Sequence, residues 1–132
     1  METIVLDAYA LMAFFENEKG AKQVRHYLVR ALREEVKLFL SVVNLGEIWY
    51  SIARTNSPEI ANKYVDEIAS LNIEIVDINW QIAHFAAIFK VQGKIAYADC
   101  FTAALAKTLQ AKLLTGDPEF RQLENEIQIE WL

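Results

Sequence analysis

A single cysteine, Cys100, stands in the 132-residue chain, so neither an internal disulfide nor a cysteine-ligated zinc site can be built from it. Glycine and proline are scarce, four and two, which removes collagen-like and low-complexity readings and leaves no Gly-rich phosphate loop. The longest uncharged stretch, Ile78–Phe89, has twelve residues and includes Asn79, Gln81 and His84. A membrane span needs roughly 18 or more apolar residues, so this is a core segment. Met1-Glu2-Thr3 runs straight into Ile4-Val5-Leu6 with no basic and apolar leader, and a cytoplasmic location is expected. The two histidines, His26 and His84, have no partners at metal-ligand or catalytic spacing.

Apolar residues make up 54% of the chain and charged residues 23%, which suits one packed domain spanning residues 1–132. The net charge, 13 − 18 = −5, argues mildly against a nucleic-acid partner. Its distribution argues otherwise. Between Lys19 and Arg33 lie five basic residues and no acidic one, and four carboxylates neutralised by bound metal would leave −5 + 4 = −1.

Short runs rich in Val, Ile and Leu read as buried strands: Ile4–Leu6, Lys37–Leu40, Glu74–Val76, Lys112–Leu114 and a short fifth at Ile127–Ile129. Helical segments separate them, over Leu11–Phe15, Ala21–Glu35 and the stretch that Asn79 caps and Gly93 ends. Ser57-Pro58-Glu59 and Asp117-Pro118-Glu119 each offer a cap, a proline for the first helical position and a first-turn acid. Strands alternating with helices imply crossover connections. The expected fold is therefore an α/β/α domain around a mainly parallel sheet.

In such sheets ligands bind beyond the carboxyl ends of the strands. Asp7 follows the first strand directly, and Asp117 lies three residues after Leu114. Glu47 sits on the helix after the second strand, and Asp99 on the helix before the fourth. Each has a plainer reading. Asp7 and Asp117 can be helix caps, and Glu47 falls on a polar stripe with Asn44, Ser51 and Arg54, opposite an apolar stripe of Leu45, Ile48, Trp49 and Ile52. Asp99 lies among Ala98, Ala103, Ala104 and Leu105, where an unpaired carboxylate is costly. Carboxylates converging from strand ends repel one another unless a cation lies between them, and oxygen-only ligands select Mg²⁺ or Mn²⁺. Such a site suits phosphodiester hydrolysis.

Val5-Leu6-Asp7, the helical Glu47, Ala98-Asp99 and Leu113-Leu114-Thr115-Gly116-Asp117-Pro118-Glu119-Phe120, at carboxylate spacings of 40, 52 and 18 residues, resemble a PIN-domain protein. The likeness is greatest to the VapC-type ribonuclease toxins of toxin–antitoxin pairs, and it covers Met1 to Trp131. It implies a three-layer fold and an endoribonuclease dependent on Mg²⁺ or Mn²⁺. Asp7, Glu47, Asp99 and Asp117 would hold the metal, and a metal-activated water would attack the RNA. It also implies a homodimer and a cognate antitoxin whose tail lies over the site. Two positions depart from the pattern. Ala8 and Tyr9 follow the first Asp where Ser or Thr is common, and Asn44 takes another Ser/Thr position, which is expected to thin the hydrogen bonding around the ligands.

Lys22, Arg25, Arg30 and Arg33 lie largely along one side of their helix, as a solvated face or as a track for an RNA backbone. Trp49 is expected in the core. Tyr50, Phe14 and Phe15 are also read first as core, with any exposed ring suited to a dimer or antitoxin groove. Cys100 reads as a small buried apolar residue. The alternative function is a non-catalytic RNA- or partner-binding module on the same fold.

Overall fold

The computed structural model describes all residues from Met1 to Leu132. Five strands, β1 (Glu2–Leu6), β2 (Val36–Ser41), β3 (Ile73–Val76), β4 (Lys112–Thr115) and β5 (Ile129–Trp131), form one sheet in the order β3-β2-β1-β4-β5. Every pairing is parallel. Six helices connect them: α1 (Ala8–Phe15), α2 (Ala21–Leu32), α3 (Val42–Thr55), α4 (Pro58–Ser70), α5 (Trp80–Gln92) and α6 (Tyr97–Leu109). A 3-10 helix at Pro118–Leu123 follows β4. No helix is long and apolar enough to cross a membrane.

Strand alternation splits the interior into two cores. Ile4, Leu6, Leu38, Leu40 and Leu114 face one side, where they meet Leu11 of α1, Val24 and Leu28 of α2, Ile48 and Ile52 of α3, and Ile68 of α4. Val5, Phe39 and Leu113 face the other side, against Ile82 and Phe89 of α5, Ala103 and Leu105 of α6, and Phe120. The result is the expected three-layer α/β/α arrangement.

The chain steps outward from β1 to β2 to β3, then returns to lay β4 on the other side of β1. That reversal leaves a crevice at the carboxyl ends of β1 and β4. Leu6 pairs with both Leu40 and Leu114, so Asp7 emerges level with Ser41 and Thr115.

Two sequence expectations need correction. The fifth strand begins at Ile129 rather than Ile127, because Ile127 turns into the second core and Leu113 N–H donates to the Gln128 carbonyl at 2.9 Å. The inward stripe of α3 also differs. Asn44, Ile48 and Ile52 are buried, whereas Trp49 is 37% exposed and donates its indole N–H to Asn62 Oδ1 of α4 at 2.9 Å. Tyr50 is likewise exposed, while Phe14 and Phe15 are partly buried against the first core. Cys100 is fully buried, as expected.

The carboxyl end of the sheet is pinned to α2. Gly20, at φ +91°, precedes α2, and a Cβ there would stand 2.9 Å from Leu132 Cβ. Gln23 donates to Glu130 and to the Trp131 carbonyl, and the Tyr27 hydroxyl donates to Glu130.

Candidate metal centre

Asp7 is the N-cap of α1. Its Oδ1 accepts from Ala10 N–H at 2.8 Å and its Oδ2 from the Thr115 hydroxyl at 2.5 Å, so the carboxylate bridges the ends of β1 and β4. Thr115 Oγ1 in turn accepts from Asp117 N–H at 3.0 Å, which fixes the start of the next turn. Asp117 caps the 3-10 helix through Oδ1, which accepts from Glu119 N–H at 3.0 Å. One threonine thus couples two of the expected carboxylates.

Asp99 lies in the first turn of α6 and is buried. Its carboxylate oxygen, one of Asp117 and one of Glu119 lie within 4.8 Å of one another. Glu119 stands close enough to raise the Asp99 pKa further, and carboxylates this near one another favour a proton or a cation between them. Glu119 is the functional candidate that the sequence reading passed over. The signal was present: Glu119 is the first-turn acid of Asp117-Pro118-Glu119 and part of the Leu113–Phe120 run, where it counts as helix punctuation and family likeness but not as a ligand.

Glu47 is held differently. The Thr102 hydroxyl of α6 donates to Asn44 Oδ1 at 2.5 Å, and Asn44 Nδ2 donates to Glu47 Oε1 at 3.2 Å. Asn44 and Thr102 are fully buried, which ties α3 to α6 beside the site. The expected thinning of hydrogen bonds at position 44 is therefore corrected, because the amide supplies the donor. Replacing Asn44 by Ala leaves the Thr102 hydroxyl only a long 3.5 Å contact with the Ala98 carbonyl and releases Glu47. The expected outcome is a loss of about 1–3 kcal/mol in urea unfolding and a roughly 10- to 100-fold weaker Mn²⁺ affinity by titration. Unchanged Mn²⁺ affinity would separate Asn44 from the site.

The electrostatics join all four expected carboxylates. Burial pushes Asp7 from 3.8 up to about 7 against the hydrogen bonds from Thr115 and Ala10, and the charges of Asp117 and Glu47 add to the rise. Burial likewise pushes Asp99 up to about 8, reinforced by the neighbouring Glu119 carboxyl and by the charges of Asp117, Glu47 and Asp7. A divalent cation fits this donor set: every candidate ligand is a hard carboxylate oxygen, and positive charge relieves both the repulsion and the Asp99–Glu119 contact.

The basic candidates do not stay together. Gly20 and Gln23 meet the last residues of β5, so Lys22 and Arg25 lie at the end of α2 level with the site, where they line a shallow depression with Phe14 and Asn17. Arg30 pairs instead with Glu2 at 3.2 Å and Glu35 at 3.6 Å. Glu2 opens β1, five residues before Asp7 and thus roughly 16 Å away along an extended strand. Arg33, one turn on, shares that far end.

A family model for the PIN domain matches residues 4–126. No individual protein of curated function matches the chain. Among solved structures it is similar to a chain of VapBC2 from Rickettsia felis bound to a DNA fragment from their promoter, with TM-score 0.77, 18% identity and 97% of each chain covered. It is also similar to VapBC-5 of Mycobacterium tuberculosis, a member of the VapBC family of toxin–antitoxin systems, with TM-score 0.66, 17% identity and coverage of 100% of this chain and 98% of that one. A third is VapC20 of Mycobacterium tuberculosis, a sarcin–ricin loop cleaving toxin, at TM-score 0.69 and 13% identity over 89% of this chain and 92% of that one. At these identities the likeness establishes the shared fold.

Proposed function

The chain belongs to the PIN-domain family, and from this we propose that it is an endoribonuclease dependent on Mg²⁺ or Mn²⁺, acting in the cytoplasm as the toxin of a toxin–antitoxin pair. The observation that carries the proposal is the convergence of Asp99, Asp117 and Glu119 oxygens within 4.8 Å, next to Asp7 and Glu47, at the strand ends where the sheet reverses. Asp7, Glu47, Asp99 and Asp117, joined by Glu119, would hold the ion. When bound, it supplies positive charge at the phosphate and lowers the pKa of the attacking water.

The chain's own groups divide the remaining work. Thr115 and Ala10 N–H keep the Asp7 carboxylate fixed, and Asn44 does the same for Glu47, so neither has to reorganise as charge develops on the phosphate. Glu119 is the exposed member of its cluster, and one of its Oε atoms is the acceptor for the proton of the attacking water. Lys22 and Arg25 provide positive charge for the RNA backbone at the same level of the fold.

The partner reading is supported by the likeness to a VapBC-family toxin–antitoxin protein, and the RNA reading by the likeness to a sarcin–ricin loop cleaving toxin. The exposed Trp80, Ile88 and Val91 on α5 are the apolar surface that favours homodimer formation.

The test is cleavage of labelled RNA by the purified chain with Mn²⁺ and with EDTA. Cleavage with Mn²⁺ and none with EDTA is expected, with Glu119→Gln slowed by about 10²- to 10⁴-fold, the contribution of a positioned proton acceptor. RNA bound but never cut, alike in Mn²⁺ and in EDTA, would favour the non-catalytic binding module.

A further inference from the structure

Tyr9 lies two residues beyond Asp7, in the first turn of α1, and is 44% exposed. Its ring rests on the backbone of Gly116, between Thr115 and Asp117. A Cβ at position 116 would overlap Cε1 of the ring and stand 2.9 Å from Cζ and 3.1 Å from Oη. Only a glycine admits so close an approach. The turn that presents Asp117 therefore doubles as a seat for the ring, and the unseated part of Tyr9 faces water beside the carboxylates.

Charge chemistry gives the ring no task there. A phenol oxygen is a poor ligand for a hard cation beside carboxylates. Burial gives it none either, since almost half of the residue is open. An aromatic face next to a phosphodiester site does have a use, because unpaired bases stack on tyrosine with little regard to sequence.

We propose that Tyr9 stacks on a nucleobase next to the scissile phosphate and so positions single-stranded RNA over the carboxylates, a role that rests on the ribonuclease reading above. The seat on Gly116 matters as much as the exposure. A ring fixed on one face loses little freedom when a base covers the other, so stacking becomes register: the base on Tyr9 sets which phosphate lies over Asp7 and Asp117. Tyr97 makes the contrast. It is 47% exposed and two residues before Asp99, yet its ring packs on Phe101 of its own helix, 4.7 Å between centroids.

The experiment follows steady-state cleavage of a labelled random-sequence single-stranded RNA in Mn²⁺, for the wild type, Tyr9→Ala, Tyr9→Phe and Tyr97→Ala. In parallel, Mn²⁺ alone is titrated against each protein and the thermal midpoint recorded. Tyr9→Ala is expected to raise KM by about tenfold, within the roughly 5- to 150-fold span of one lost stacking contact. Tyr9→Phe and Tyr97→Ala are expected to keep the wild-type KM, and all four proteins the same Mn²⁺ response. An unchanged KM in Tyr9→Ala overturns the inference while leaving the ribonuclease standing. A weakened Mn²⁺ response in Tyr9→Ala also overturns it, since the ring would then be a prop for Asp117. A wild type that neither binds nor cuts RNA in Mn²⁺ overturns the ribonuclease reading and this inference with it.

Discussion

Replacing Asp99 by Asn is expected to slow RNA cleavage by at least 10³-fold while raising the melting temperature of the metal-free chain. The two effects have one origin. Asp99 is buried, lies against Glu119 and feels the charges of Asp117, Glu47 and Asp7, so its ionised form is costly to the fold. An amide of the same shape removes that cost and can donate to Glu119. It also removes an anionic oxygen from the three that lie within 4.8 Å, which a hard cation needs. A 10³-fold loss is about 4 kcal/mol of transition-state stabilisation. The check is single-turnover cleavage, together with thermal unfolding in EDTA and in millimolar Mn²⁺. Ligand at ten times its dissociation constant adds about 1.4 kcal/mol, or roughly 4–5 °C for a domain of this size, in the wild type. The variant should lack that shift. A folded Asp99→Asn protein that cuts RNA at the wild-type rate would take Asp99 out of the mechanism. One that melts lower in EDTA would refute the electrostatic account.

The division between what the residues disclosed and what they withheld follows from range. Strands buried on both faces announce themselves as short apolar runs, and Ser57-Pro58 and Asn79 cap their helices as local chemistry requires. Asp7 and Asp117 were legible because strand ends fix where the next residue emerges. Glu119 was not, since only the 3-10 turn brings it back towards Asp99, twenty residues earlier on a different element. The α3 wheel failed for a related reason. Hydrophobicity places Trp49 inside and Asn44 outside, but the hydroxyl of Thr102, 58 residues away, pulls Asn44 into the interior as a link to Glu47. Position 30 shows the converse error. A basic stripe read along a helix takes no account of which end of the sheet each turn meets, and Arg30 meets Glu2. Polar partners distant in sequence decide such positions, and periodicity carries no record of them.

Raising the pH should destabilise the metal-free protein, and a divalent ion should reverse the trend. Asp7 and Asp99 hold their protons in the folded chain up to about 7 and about 8, against 3.8 for an ordinary aspartate. The folded state therefore binds protons that the unfolded state releases. Stability from this source is fully present below about pH 4 and is lost as the pH rises through 7 to 8. For the fully buried Asp7 the rise from 3.8 to about 7 corresponds to roughly 4 kcal/mol, a fall in melting temperature on the order of 10 °C across that range. A cation held by ionised carboxylates would compete with protons, so stabilisation by Mn²⁺ should grow with pH. Melting curves in EDTA and in Mn²⁺ should then converge in mild acid and diverge towards pH 8. A midpoint in EDTA that stays level or rises between about pH 5 and pH 8 would mean that the carboxylates are ionised at no cost. The repulsion that calls for a cation would then be absent.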